Sequence, residues 1–202
     1  MYVVVDCETT GRHPGRHEIL TIAAIIADER FNEIGKFHRG LCPQEWHLWD
    51  EEAESVHGIS KQRAAKFKPS NEVLSDFVSF LDRHGDNYAF VCHALPMGSE
   101  VNTFDRNFIF YWFHYSEDVQ RRVDYYRFFP EEKMVSTIKS KRKLATQTWD
   151  IKNQKLDTWA DKLGIEFQHH NAIQDARLTL EVLKYQRMSD GWEAFEKQRA
   201  SV

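Results

Sequence analysis

Two carboxylates lie next to each other near the amino terminus, directly after a β-branched run. Residues 2–5 are Tyr-Val-Val-Val, which is typical of a short buried strand, and Asp6, Cys7 and Glu8 follow. Side chains on a strand alternate between its two faces, so Asp6 and Glu8 should point the same way and Cys7 into the packing. Neighbouring carboxylates repel each other unless a cation lies between them, and Mg²⁺ prefers such oxygen ligands. The pair predicts a divalent-metal site, provided that other segments supply further ligands.

Two later segments carry residues that could complete such a site. Residues 88–93 read as a strand ending in His93, and after a loop Asp105 opens a strongly aromatic helix. Near the carboxyl end, His170 precedes a helical apolar pattern that begins at Ala172 and carries Asp175 in its first or second turn. Strand ends and helix starts are therefore expected to present these side chains together.

The order of these segments resembles the three exonuclease motifs of the DEDDh (DnaQ-like) 3′–5′ exonuclease superfamily. D-C-E-T-T-G at 6–11 is similar to the first motif, F-D at 104–105 to the second, and H-N-A-I-Q-D-A at 170–176 to the third. V-H-G-I at 56–59 and L-D-T-W-A-D-K-L-G-I at 156–165 resemble two further family segments. The resemblance covers residues 2 to about 185, nearly the whole chain.

The resemblance implies a two-metal phosphodiesterase. Four carboxylates would hold two divalent ions, Mg²⁺ or Mn²⁺, about 3.5–4 Å apart. One ion would activate a water and the other would stabilise the leaving 3′ oxygen, while a histidine would take the water's proton as general base. The implied metal ligands are Asp6, Glu8, Asp105 and Asp175, and the implied base is His170. The adjacent His169 does not match the family's histidine.

Further residues are candidates for binding the nucleic acid. In the family the histidine matching His57 contacts the terminal nucleotide, and Thr9 or Thr10 would lie beside its sugar; for His57, a capping or packing role is an alternative. The basic run at 139–143 could grip phosphates or form a solvated face. Most of the aromatic helix at 108–115 should be core, with one or two rings free to stack unpaired bases.

The chain departs from the family pattern at three places. His93 and Asp105 are separated by an insertion, residues 94–103, which contains Pro96 and Gly98; it makes Asp105 the least direct match. The stretch 115–133 is longer than family members often show. The segment 135–138, Val-Ser-Thr-Ile, stands where the family usually reads D-T-L.

Composition sets broad limits on the class of protein. The chain has 202 residues, a formal net charge of −4 and three cysteines. This length suits one domain, residues 1–202. The cysteines show neither disulfide-framework nor zinc-site spacing, so we expect a reducing, cytoplasmic setting. No stretch fits a signal peptide or a membrane span, and no membrane partner is expected.

The pattern of elements predicts an α/β fold. Strands are expected at 2–6, 18–27, 31–41, 88–92 and 135–138. One helix should end near His57, a second should cover 71–84 and a third should begin at Thr103, and the chain after 138 should be helical to about 198. Three antiparallel strands followed by strands alternating with helices give a mixed five-stranded sheet with helices packed on it. This is the ribonuclease H-like fold that the resemblance implies.

Taken together, the sequence predicts a metal-dependent 3′–5′ exonuclease that releases nucleoside monophosphates from free 3′ ends. Single-stranded DNA is the expected substrate, and a polymerase or repair complex is a candidate partner. Two alternatives stay open: a 3′–5′ exoribonuclease of the same superfamily, and a catalytically silent nucleic-acid-binding or scaffold domain on the same fold.

Overall fold

The structure is a computed structural model, and it describes residues 1–94, 103–115, 124–138 and 152–187. In these ranges a mixed sheet has the order β4-β3-β2-β1-β5-β6. Its strands are β1 (Tyr2–Thr9), β2 (Ile19–Ala27), β3 (Glu33–Cys42), β4 (Lys68–Pro69), β5 (Ala89–Cys92) and β6 (Met134–Ser136). The pairs β1–β2 and β2–β3 are antiparallel, whereas β1–β5, β5–β6 and β3–β4 are parallel.

The mixed sheet is confirmed, but the predicted number of strands is wrong. The strand that was not predicted is β4, which has only two residues and no alternating pattern that could indicate a strand. Its Pro69 lies at the sheet edge, where a residue without a backbone N–H is tolerated. The last strand also ends earlier than expected, because Thr137 and Ile138 are helical.

Seven helices lie entirely within the described ranges. They are α1 (Glu51–His57), α2 (Lys61–Ala64), α3 (Ser70–His84), α4 (Phe104–Tyr115), α5 (Tyr125–Phe128), α6 (Leu156–Leu163) and α7 (Ala172–Arg187). Short 3-10 turns cover Trp46–Leu48 and Glu131–Lys133. None of these helices is long and apolar enough to cross a membrane. α3 has no side-chain cap at its amino terminus, since Pro69 occupies the cap position and Ser70 Oγ accepts from Trp112 Nε1.

Helices cover both faces of the sheet, which explains why β2 is buried at all of its positions. On one face, Val3, Val5 and Cys7 pack with α3, α4 and α5. On the other, Val4 packs against α7 through residues that include Ala172 and Ala176. Because side chains alternate along β1, Asp6 and Glu8 lie on the α7 face, beyond Val4.

The long stretch 115–133 contributes to the core where the structure describes it. Tyr125, Phe128 and Phe129 are buried, and the ring of Phe129 meets that of Phe90 edge-on at 5.4 Å. The side chain of Arg106 donates to the carbonyl of Phe129 at 3.3 Å. This part of the extension therefore supports the helix that presents Asp105.

Candidate active site

Three of the predicted ligands meet at the end of β1. Single carboxylate oxygens of Asp6, Glu8 and Asp175 lie within 4.8 Å of one another. The expected alternation is confirmed, since Cys7 is buried in the core on the opposite face. Asp175 reaches the pair from the first turn of α7, whose small residues Ala172 and Ala176 let the helix pack closely on β1.

Asp105 completes the group from the other side of the sheet. It lies in the first turn of α4, is 5% exposed, and its Oδ1 accepts a hydrogen bond from the backbone N–H of Cys7 at 3.1 Å. Its charge acts on both Asp6 and Glu8. The structure thus brings together the four carboxylates that the sequence pattern singled out.

The insertion before Asp105 does not displace it. Residues 95–102, with Pro96 and Gly98, lie outside the described part of the chain. Both flanks are anchored on the sheet: Ser136 Oγ donates to the carbonyl of Ala94 at 2.7 Å, and Cys92 Sγ lies 3.3 Å from the hydroxyl of the buried Thr103. The start of α4 is therefore fixed by β5 and β6, whatever the length of the loop.

The carboxylates hold their protons more tightly than free acids do. Burial, followed by the charges of Asp105, Asp175 and Glu8, raises the pKa of Asp6 well above its usual range. Burial and the charge of Asp105 raise the pKa of Glu8 to about 7. Burial raises the pKa of Asp105 to about 7, although the hydrogen bond from the Cys7 N–H opposes this shift. Burial and the charge of Glu8 raise the pKa of Asp175 to about 7.

This cluster fits a hard divalent cation. All its donor atoms are carboxylate oxygens, the ligand type that Mg²⁺ and Mn²⁺ take. One oxygen, Asp175 Oδ1, is buried and meets no hydrogen-bond partner in the described ranges. A buried acceptor without a partner is costly, and a bound cation would satisfy it while removing the repulsion between the acids.

His170 lies in the turn that leads into α7. It is exposed, its backbone is left-handed with φ +57°, and its ring stacks on that of His169 with centroids 4.8 Å apart. Partial burial and the neighbouring His169 lower the pKa of His170, so the ring is neutral and can accept a proton near neutral pH.

His57 ends α1 and faces the end of β1. Its Nδ1 accepts from the backbone N–H of Ile59 at 3.0 Å, so the neutral ring carries its proton on Nε2. Nε2 is buried and makes no hydrogen bond of ordinary geometry to a described residue. The nearby backbone of Thr9 acts to raise the pKa of His57. Burial is the larger effect, and the pKa of His57 is lowered.

The two threonines make intramolecular contacts. Thr9 Oγ1 donates to the carbonyl of Gly11 at 2.7 Å, and Thr10 Oγ1 accepts from the backbone N–H of Glu18 at 2.9 Å. Both are buried and shape the turn after β1. Their contact with a sugar stays a prediction.

Two features near the site were not assigned from the sequence. His93 is clamped between Thr137 Oγ1 and the carbonyl of Gln154, each at 2.6 Å, and burial lowers its pKa to about 4, so it is a neutral structural link. His169 contacts Asp157, with Nε2 2.5 Å from Oδ1. Only the tertiary structure joins these partners.

The basic run at 139–143 lies outside the described residues.

Residues 3–183 match the RNase_T exonuclease family. The chain belongs to this exonuclease family. The matched range includes all the acids and histidines of the site, and it confirms the DEDDh resemblance.

Relatives of this exonuclease domain are much longer proteins. The DNA polymerase III PolC-type protein of Thermotoga petrophila is 27% identical over 183 residues, which are 90% of this chain and 11% of that protein. The PolC-type protein of Thermotoga maritima is also 27% identical, over 189 residues, with the same two shares of coverage. The chain thus spans about a tenth of the length of these curated relatives.

Solved structures confirm the ribonuclease H-like fold. Exonuclease I of E. coli in complex with a dT13 oligonucleotide superposes with a TM-score of 0.72 at 18% identity, covering 97% of this chain and 42% of that chain. Exonuclease I of Methylocaldum szegediense gives a TM-score of 0.69 at 20% identity, with 93% and 40% covered.

Proposed function

We propose that this domain is a divalent-metal-dependent 3′–5′ exonuclease that releases nucleoside monophosphates from free 3′ ends, with single-stranded DNA as its substrate. The observation that carries the proposal is the meeting of four carboxylates from β1, α4 and α7, two of them buried and two half-buried, with His170 in the adjacent turn. A silent binding domain would have no need for acids that repel one another.

Each residue of the candidate site has a distinct role in this proposal. Asp6, Glu8, Asp105 and Asp175 would hold two divalent ions, Mg²⁺ or Mn²⁺, which stabilise negative charge on the phosphate and lower the pKa of a water. The N–H of Cys7 fixes one oxygen of Asp105 and so directs the carboxylate. The exposed, neutral His170 accepts the proton of the attacking water.

The terminal nucleotide would be held beside these acids. His57 carries its proton on a buried Nε2 at the end of β1, and a donor there can bind an oxygen of the last nucleotide. The site is built from turns and helix starts at one end of the sheet, so an unpaired strand end can enter it. A base-paired 3′ end would have to fray before it could do so.

Two exposed rings support a single-stranded substrate. Tyr111 and Tyr115 on α4 are 36% and 71% exposed and stack on each other at 5.5 Å. They line a groove of about 520 Å³, together with Arg16 of the loop that follows the first motif. Stacking on aromatic rings beside a cation is how unpaired bases are commonly bound. Exonuclease I of E. coli, which shares the fold, is known as a complex with the oligonucleotide dT13.

A polymerase is the proposed working partner. The proteins of Thermotoga that this domain resembles are PolC-type DNA polymerases, in which the matching segment is a small part of the chain. A domain of this kind would remove 3′ nucleotides next to the site of synthesis.

The deciding experiment compares labelled oligonucleotides. DNA and RNA strands carrying a 3′ or a 5′ label are incubated with Mg²⁺, Mn²⁺ or EDTA. We expect immediate release of the 3′ label as mononucleotide, a ladder from the 5′-labelled strand, and no reaction in EDTA or with a 3′-phosphate end. Cleavage of closed circular single strands at a similar rate would show an endonuclease. Faster loss of RNA than DNA would make the enzyme an exoribonuclease.

The matched control for this experiment is a pair of Glu-to-Gln variants. Glu8→Gln removes a ligand of the cluster, whereas Glu29→Gln changes an exposed acid in the β2–β3 turn. The first should abolish metal-dependent cleavage and the second should keep the wild-type rate. Mg²⁺-dependent degradation by an Asp6→Ala, Glu8→Ala double variant would refute the metal site.

A further inference from the structure

The residue before the proposed base is held by a partner on another helix. His169 Nε2 lies 2.5 Å from Oδ1 of Asp157, in the first turn of α6. The ring of Phe167 meets the His169 ring at a steep angle, with centroids 4.9 Å apart. The imidazole of His169 is thus fixed from two sides although it is exposed.

The ring of His170 stacks on this fixed ring of His169. The two imidazoles are nearly parallel, with an interplanar angle of 18° and centroids 4.8 Å apart. His170 has a left-handed backbone, φ +57°, which is uncommon and strained for residues other than glycine. Such a conformation persists only where surrounding contacts determine it, and among described residues the stack on His169 is the ring contact that His170 makes.

We propose that His169, held by Asp157, is a positioning residue for His170 and fixes the plane of its ring by stacking. The inference rests on the proposed function, in which His170 is the general base. A base must keep its accepting nitrogen aimed at the water, and an exposed ring in a turn would otherwise rotate freely.

The charges around His170 suit this role. His169 lies in the same turn and Asp157 lies on α6, and both act on the charge of His170. Burial and the neighbouring His169 lower the pKa of His170, whereas Asp157 raises it. His169 therefore favours the unprotonated form of His170, which is the form that can act as a base.

The motif resemblance does not account for this arrangement. Asp157 stands at an unassigned position of the segment 156–165, and His169 precedes the histidine of the third motif. The sequence pattern predicts a much smaller role for His169 than for His170, whereas the contacts of His169 link α6 to the proposed base.

The kinetic test separates stacking from charge. His169→Ala removes both and should lower kcat by about 10- to 100-fold, the range expected when a reacting group shifts by about 1 Å, with KM for an oligonucleotide little changed. His169→Phe keeps a ring and should restore most of kcat at high pH. The acid limb of its pH profile should lie at higher pH than that of the wild type, since the effect by which His169 lowers the pKa of His170 is gone.

Matched variants show whether the effect acts through His170. Asp157→Ala should lower kcat in the same direction as His169→Ala. Asp161→Ala, an exposed acid one turn further along α6, should not. On a His170→Ala background, His169→Ala should have almost no further effect. An equal loss on both backgrounds, or a His169→Ala enzyme with wild-type kcat and acid limb, would overturn the proposal.

A measurement without catalysis distinguishes this inference from the proposed function. Proton NMR of the metal-free protein follows the C2–H signal of His170 as the pH changes. The pKa of His170 should be higher in His169→Phe than in the wild type. An unchanged pKa would refute the electrostatic part of the inference even if no oligonucleotide were cleaved, whereas failure of the wild type to cleave any strand would refute only the proposed function.

Discussion

The backbone N–H of Cys7 donates a hydrogen bond to Asp105 Oδ1 at 3.1 Å, joining residues 98 positions apart. This bond connects the strand that carries two of the acids to the helix that carries a third. It orients one oxygen of Asp105 and stabilises the ionised form of a buried carboxylate. Contacts within the protein therefore fix the position of Asp105 relative to β1.

Asp105→Asn should cripple turnover without unfolding the protein. The amide oxygen can still accept from the N–H of Cys7, but the negative charge that a metal needs is lost. We expect kcat to fall by at least about 100-fold, since changes at residues that merely orient metal ligands already cost 10- to 100-fold. Steady-state kinetics with Mg²⁺ and a thermal melt measure the two effects. An active Asp105→Asn enzyme would mean that another acid completes the site.

The metal-free protein should lose stability as the pH rises from about 4 to 7. The pKa values of Glu8, Asp105 and Asp175 are each raised to about 7 in the folded state, so the folded protein binds more protons than the unfolded chain in this range. Stability then falls with increasing pH and levels off above about 7. Urea unfolding in EDTA at pH 5 and pH 8 tests the sign, and Mn²⁺ should restore stability at pH 8 but not at pH 5.

Glu8→Gln provides the internal check on that prediction. It removes one of the repelling charges, and a difference of one pH unit in pKa corresponds to about 1.4 kcal/mol. At pH 8 in EDTA we expect the free energy of unfolding to rise by about 1–3 kcal/mol over the wild type. Glu29→Gln, at an exposed position, should leave it unchanged. A destabilised Glu8→Gln protein would show that the acids are stabilised by contacts within the protein.

Tyr111 and Tyr115 should matter for long strands and not for short ones. Loss of a ring on which an unpaired base stacks costs about 1–3 kcal/mol per base. Tyr115→Ala and Tyr111→Ala should therefore raise KM for a single-stranded 12-mer by about 5- to 100-fold, with kcat unchanged. Both variants should cleave a dinucleotide at the wild-type rate. Tyr126→Ala, also an exposed tyrosine but outside the groove, is the control.

Shortening the insertion should change substrate preference and not the chemistry. Ala94 and Thr103 are anchored to β6 and β5, so the start of α4 does not depend on the residues between them. A chain with residues 95–102 reduced towards the family spacing should keep metal-dependent hydrolysis. Its preference for strand length, or for single over double strands, should shift, as measured on a series of labelled DNAs. Complete inactivity of a variant that still melts cooperatively would show that the insertion supports Asp105.

The sequence alone determined the ligands and the scaffold that carries them. Alternation along β1 places Asp6 and Glu8 on one face, and helical spacing places Asp175 in the first turn of α7; both follow from local geometry. The mixed sheet was predictable for the same reason, because hydrophobic periodicity is a local property. The two-residue β4 was not, since such a strand forms only through its partner β3.

Contacts between distant segments were decided by the tertiary structure. The hydrogen bond from Cys7 to Asp105, the clamp on His93 and the pairing of Asp157 with His169 each join segments that no spacing rule relates. Likewise, the aromatic run of α4 is apolar on nearly all sides, and only packing decided that Phe108 and Phe113 are core while Tyr111 and Tyr115 face the groove. Local periodicity fixes which way a side chain points, whereas its partner depends on how the helices dock on the sheet.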